Sequence, residues 1–105
     1  MDASPVLNRI AGSLPAIRAR REEIERARRL PRELVESLRA TGVFALGVPR
    51  VLGGHEATPA ELMRAIELAA TADGSTGWCV MASVSSNLVA GYMAESGARE
   101  VFDGP

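Results

Sequence analysis

Between Asp73 and Glu95 the chain carries no charged side chain, and no other feature limits its fold so tightly. Residues 74–94 read GSTGWCVMASVSSNLVAGYMA. On a helical period of about 3.6 residues, Trp78, Met81, Ser85, Leu88 and Tyr92 share one face. Cys79, Ala82, Ser83, Ser86 and Ala90 make a second face of small side chains, and Val80, Val84, Asn87 and Gly91 fill most of the third. A helix with no polar side exposes apolar surface however it is turned. The pattern therefore predicts a central, nearly enclosed helix over about residues 75–94. Its small face allows neighbouring backbones to approach, and its hydroxyls and the Asn87 amide need partners inside. The run is long enough to span a bilayer, but its Asn, Ser, Thr and Gly content and the lack of a basic flank favour a buried helix.

A chain of 105 residues makes one modest domain, and 47% hydrophobic residues suffice for its core. A formal net charge of -1 gives no general attraction to nucleic acid or to an anionic membrane. Cys79 is the single cysteine, which excludes an internal disulfide and reads as a small buried hydrophobe. The first residues lack the basic-then-apolar profile of a secretory signal, so a cytoplasmic setting is the default expectation. Asp103-Gly104-Pro105 reads as a turn leading onward, the mark of a truncated domain rather than a complete functional unit.

Other helices are marked by their ends. Ser4-Pro5 starts a first short helix that Gly12-Ser13 interrupts. A second runs from about Leu14 to Arg29, with Leu14, Ile17, Ile24 and Ala27 apolar and an outer surface of interleaved Arg and Glu. Glu22 with Arg26, and Glu25 with Arg29, have the spacing of helical ion pairs worth about 0.3 kcal/mol each. Interleaving of the two signs makes this a solvated face rather than a nucleic-acid stripe. Pro31 opens a third helix, buried through Leu34, Val35 and Leu38 and stopped by Gly42. Residues 43–54, broken by Gly47, Pro49 and Gly53-Gly54, form a partly buried loop. Thr58-Pro59-Ala60-Glu61 is the sharpest local signal, a capping box with proline at the first helical position. Its helix continues through Ala70, and Asp73-Gly74-Ser75 turns the chain into the central helix with Asp73 or Ser75 as cap. A last short turn spans Ala98 to Phe102. The fold class is all-α, with five or six helices packed as an orthogonal bundle around the central one.

The residues themselves name no reaction. His55 is the only histidine and sits in a polar loop between Gly54 and Glu56, where it reads as a surface residue. No Cys/His cluster has metal-ligand spacing, and no base stands near Ser83, Ser85 or Ser86 in sequence. Gly53-Gly54 has neither a preceding strand nor a P-loop pattern, so tight packing explains it better than an anion cradle. Glu22 and Glu23, set among arginines, read as ordinary ion-pairing residues. Trp78, on the same face as Met81 and Ser85, is either a core anchor or the wall of a pocket that another domain completes.

Three segments carry a resemblance. They are LPRELVESLRATGVFALGVPRVLGG (Leu30 to Gly54), TPAELMRAIELAATADGSTGWCVMA (Thr58 to Ala82) and GAREVF ending at Phe102. In this order they resemble the N-terminal helical domain of the acyl-CoA dehydrogenase superfamily, and most closely its flavin-dependent monooxygenase branch. The resemblance covers almost all of the chain after Ile10. It implies that residues 1–105 belong to a longer enzyme with a middle β domain and a C-terminal four-helix bundle, assembled as a homotetramer. It further implies FAD or reduced FMN held mainly by those other domains, a partner flavin reductase, and a small aromatic or similar organic substrate. Trp78 matches the tryptophan of the family's Asp-Gly-Ser-x-Gly-Trp turn, and the face carrying Met81 and Ser85 is then expected to line the substrate and flavin pocket. No catalytic residue, no metal and no cofactor site of its own is expected here, and the fragment alone is expected to be catalytically silent. An acyl-CoA dehydrogenase using FAD is the enzymatic alternative, and a non-catalytic helical interaction module is the other.

Overall fold

The computed structural model describes residues 4–102. The Asp103-Gly104-Pro105 turn lies outside them. Six α-helices and short 3-10 turns account for the regular structure, with no strand among the described residues, as the all-α reading expects.

Helix α1 (Ser4–Ala19) runs unbroken through Gly12-Ser13 and past Pro15, where the sequence predicts an interruption. The reason is tertiary. Val6, Ile10 and Ile17 are fully buried along one seam, with Leu14 packed beside them. Three such burials, at about 1.5–3 kcal/mol each, outweigh about 1 kcal/mol for the glycine and about 3 kcal/mol for the proline. The break falls instead at Arg20. Helix α2 (Arg21–Ala27) buries Ile24 and stops at Arg28, whose φ of 58° is left-handed and whose N–H donates to the Ile24 carbonyl. Because the helix ends at Ala27, Arg29 is no longer in helical register with Glu25, and the pair foreseen there does not form. Glu22–Arg26 is likewise absent from the ion pairs. Arg20 takes the role, reaching Glu23 at 3.1 Å and Glu33 at 3.8 Å and so tying α2 to the next helix.

Helix α3 (Arg32–Thr41) begins one residue after Pro31, buries Leu34 and Leu38, and ends at Gly42 with φ 90°. The segment that follows makes two 3-10 turns, Val43–Ala45 and Arg50–Leu52. It is laced by backbone bonds from the N–H groups of His55, Glu56 and Ala57 to the carbonyls of Ala45, Val48 and Leu46, at 3.1, 2.9 and 2.9 Å. A β-carbon at residue 54 would stand 2.1 Å from the Val48 carbonyl oxygen, so Gly54 serves close packing as expected.

Helix α4 (Pro59–Ala72) has the full capping box. The Glu61 N–H donates to Thr58 Oγ1 at 3.2 Å, and the Thr58 N–H donates to Glu61 Oε1 at 2.7 Å. Helix α5 (Gly74–Asn87) is capped by Asp73, whose Oδ2 accepts from the N–H and hydroxyl of Thr76 at 2.7 and 2.8 Å. These two helices make the most extensive contact in the fold, Leu62, Ala65, Ala69 and Ala72 meeting Gly77, Val80 and Val84. The chain then passes into 3-10 winding over Leu88–Tyr92, seven residues short of the helix end foreseen at 94. Helix α6 (Glu95–Phe102) starts earlier than the expected Ala98.

The burial of α5 is one-sided, which corrects the enclosed helix that its composition suggests. Thr76, Gly77, Val80 and Val84 are buried, while Trp78, Ala82, Ser85 and Ser86 are exposed. Lack of charge does not by itself demand enclosure, and Ser75, Ser85 and Ser86 put hydroxyls on the exposed side.

Candidate functional site

Trp78, Ala82, Ser85 and Val89 recur at helical spacing along the outward ridge of α5 and its 3-10 extension, and all four are exposed. The indole of Trp78 is 69% exposed and Tyr92, at the far end, is 91% exposed. Met81 is half-buried on the flank one turn beyond Gly77, the glycine that touches α4. The ridge is held in place from behind. Gly77 lies against Ala70, a β-carbon there standing 2.6 Å from the Ala70 methyl group. Asn87 Nδ2 donates to the Phe44 carbonyl at 2.7 Å, the internal partner its position demands. The ridge is therefore anchored from behind while its outer surface is exposed.

Trp78, Met81 and Ser85 do not enclose a cavity with the rest of the described residues. What lies beside them is an open groove of about 550 Å³, with Val35, Arg39 and Phe44 on one bank and Ala82, Ser83 and Ser86 on the other. The small face of α5 thus borders a groove instead of receiving a close-packed backbone, the close approach having fallen at Gly77. Arg39 and Phe44 are groove residues that the helical pattern of residues 74–94 does not reveal, because they come from α3 and the 43–45 turn. The available signal was Phe44 in the Thr41-Gly42-Val43-Phe44 segment, an aromatic just past a helix stop.

The remaining candidates fall away from this ridge. His55 is half-buried rather than a surface residue, its ring edge packed toward Gly42 and its Nδ1 enclosed without a hydrogen-bond partner. Cys79 is half-buried. At the amino ends of α4 and α5 the side chains of Thr58 and Asp73 accept from the N–H groups of Glu61 and Thr76. Among the described residues no group of three His, Cys, Asp or Glu side chains is placed to hold a metal. None of their helices is long and apolar enough to cross a membrane.

Comparison with known proteins agrees with this architecture. Residues 15–101 match the family model for the acyl-CoA dehydrogenase N-terminal domain. A flavin-dependent monooxygenase oxygenase subunit, HsaA, of Rhodococcus jostii is 39% identical over 72 residues, covering 69% of this chain and 19% of that protein. Its namesake in Mycobacterium tuberculosis is 43% identical over 77 residues, covering 73% and 20%. An indole-3-acetate monooxygenase of Pseudomonas putida is 34% identical over 88 residues, covering 84% and 23%. The chain thus spans about a fifth of the length of the curated relatives it matches. No solved structure gives a significant match.

Proposed function

This chain belongs to the acyl-CoA dehydrogenase family through its N-terminal domain, and on that premise we propose that it forms one wall of the substrate pocket in a flavin-dependent monooxygenase. The observation that carries the proposal is the exposed ridge of Trp78, Ala82, Ser85 and Val89 along α5 and its 3-10 extension, in a stretch with no charge from residue 74 to residue 94. An exposed apolar strip of this kind marks a surface meant to be covered. The names of the relatives, monooxygenases and an oxygenase subunit, favour this chemistry over dehydrogenation.

Flavin, as FAD or as reduced FMN delivered by a reductase, is assigned to parts of a longer protein, and supplies there the electrons that activate O₂. The contribution of this chain is a wall. Trp78 presents a flat apolar face to an aromatic or similar small organic substrate, Met81 fills the flank, and Ser85 offers a hydroxyl about two turns along. Such a surface keeps water from the reacting atoms, which protects a reactive oxygen species from unproductive decay. A homotetramer, as the family resemblance implies, belongs to the same proposal.

The test uses the complete polypeptide that carries this segment, with reduced flavin, O₂ and a panel of small phenols. Trp78→Ala is expected to lower product formed per O₂ consumed by roughly tenfold, a loss of about 1.4 kcal/mol in discrimination against leakage. Unchanged coupling together with unchanged substrate affinity removes Trp78 from the wall. Flavin reduction by a saturated acyl-CoA without O₂ would establish the dehydrogenase instead. A complete chain that binds no flavin would establish a non-catalytic helical role.

A further inference from the structure

We infer that Arg39 is the recognition group for a carboxylate, so that the ligand taken up beside α5 is an aromatic or similar apolar acid; this deepens the proposed function and rests on its placement of a substrate against that helix. The groove of about 550 Å³ beside α5 and a second hollow of about 530 Å³ share Arg39, Phe44 and Asn87. Both volumes fall within the range of about 300–1,000 Å³ usual for small-molecule sites. Arg39 is the only charged side chain among the described residues that line either hollow. A ligand lying there meets one positive charge and no carboxylate. That favours an anion over a cation, and a planar single charge over a phosphate, which calls for more than one cationic donor.

The guanidinium has an edge to spare. Its Nη1 reaches Glu36 at 3.2 Å in a solvent-exposed pair, the kind that is worth little and exchanges partners readily. No bond engages Nε or Nη2 among the described residues. Those two groups form the fork that meets both oxygens of a carboxylate. Glu36 therefore holds the guanidinium from one side without satisfying it. A basic residue in the last turn of α3 also complements the helix dipole, a role that would not tell an acid from its amide.

The rest of the groove suits the remainder of such a molecule. Val35 and Phe44 on one bank and Ala82 on the other offer apolar surface. Asn87 ties the banks together through its bond to the Phe44 carbonyl. Ser83 and Ser86 add hydroxyls. In α1 and α3 the serine hydroxyls turn back on their own helix, Ser13 donating to the Arg9 carbonyl and Ser37 to the Glu33 carbonyl, both at 3.0 Å. Ser83 and Ser86 make no such bond among the described residues, which leaves them able to donate to a ligand.

The experiment measures equilibrium binding of phenylpropanoate and naphthylacetate, each beside its primary amide, to the complete polypeptide that carries this segment. Each acid is expected to bind about thirtyfold more tightly than its amide. Arg39→Gln should remove that preference, weakening the acids about thirtyfold while the amides change by less than about twofold. Arg39→Lys keeps the charge but loses the fork, and should weaken the acids by about fivefold. Glu36→Gln removes a competing carboxylate and should tighten the acids by about twofold. Equal binding of acid and amide would overturn the inference, as would failure of both acids to bind. An acid preference that survives Arg39→Gln would overturn it too. So would a loss shared equally by acid and amide, the sign of a merely structural role. Binding is read without turnover, so this inference and the monooxygenase can fail separately. An acid preference that depends on Arg39, in a protein that forms no O₂-dependent product, keeps the carboxylate site and removes the monooxygenase. Coupled oxygenation of acid and amide alike, indifferent to Arg39→Gln, does the reverse.

Discussion

Residue 77 allows the contact between α4 and α5 to be tested with one carbon atom. A β-carbon there would stand 2.6 Å from Ala70 Cβ and 2.7 Å from Ala70 Cα, about 1 Å inside the separation at which carbon atoms attract. The obstacle is main chain plus a methyl group, so no rotamer change relieves it. Two effects then compete in Gly77→Ala. Replacing glycine inside a helix gains about 0.5–1 kcal/mol. Forcing two packed helices apart costs about 1–3 kcal/mol, and backbone contact puts this site at the upper end. The net expectation is a destabilisation of about 1–2 kcal/mol, a fall in Tm of roughly 4–16 °C for a domain of this size. Gly12→Ala in α1 is the control, because a β-carbon there meets nothing within 4 Å. It keeps only the favourable term and should raise stability by about 0.5–1 kcal/mol. Urea unfolding followed by helical circular dichroism reads both variants on one scale. Opposite signs are the expected result. If Gly77→Ala stabilises as Gly12→Ala does, α4 and α5 are not in backbone contact and the anchoring of the ridge has lost its basis.

Two further substitutions probe single hydrogen bonds. Thr58→Ala removes the side-chain acceptor of the Glu61 N–H and is expected to cost about 1 kcal/mol, seen as a lower urea midpoint at unchanged slope, with Thr58→Ser restoring most of it. Asn87→Ala leaves the Phe44 carbonyl without its donor and should cost about 1–3 kcal/mol; a neutral result would mean that the carbonyl is satisfied by water.

Ends of elements were legible in the sequence where a local motif carries its own energy. The Thr58–Glu61 box and the Gly42 stop needed nothing from the rest of the chain and stand where the sequence puts them. α1 was misread because Gly12-Ser13 is a local signal, whereas Val6, Ile10 and Ile17 act only once a neighbouring helix covers them. Arg28 hid the end of α2 for a related reason, since a left-handed arginine gives no sign of itself in sequence. The candidate ridge was legible as a set of residues but not as an exposed one. Lack of charge on α5 does not say which of its sides is covered, because its serines can face water as well as packed neighbours. The groove was not legible at all, because Val35 and Arg39 come to face Ala82 and Ser83 only through the 43–45 turn, which packs on both α3 and α5.

Gly53 and Gly54 are the same letter twice, yet they answer to different demands. The first needs a left-handed φ of 88° and has open space around it, so asparagine and aspartate are the substitutes that should strain it least. The second has no such angle but backs onto the Val48 carbonyl, where every side chain collides alike. Saturation mutagenesis would therefore separate this doublet into a position that grades its exchanges by backbone strain and a position that permits none, a contrast invisible in the written sequence.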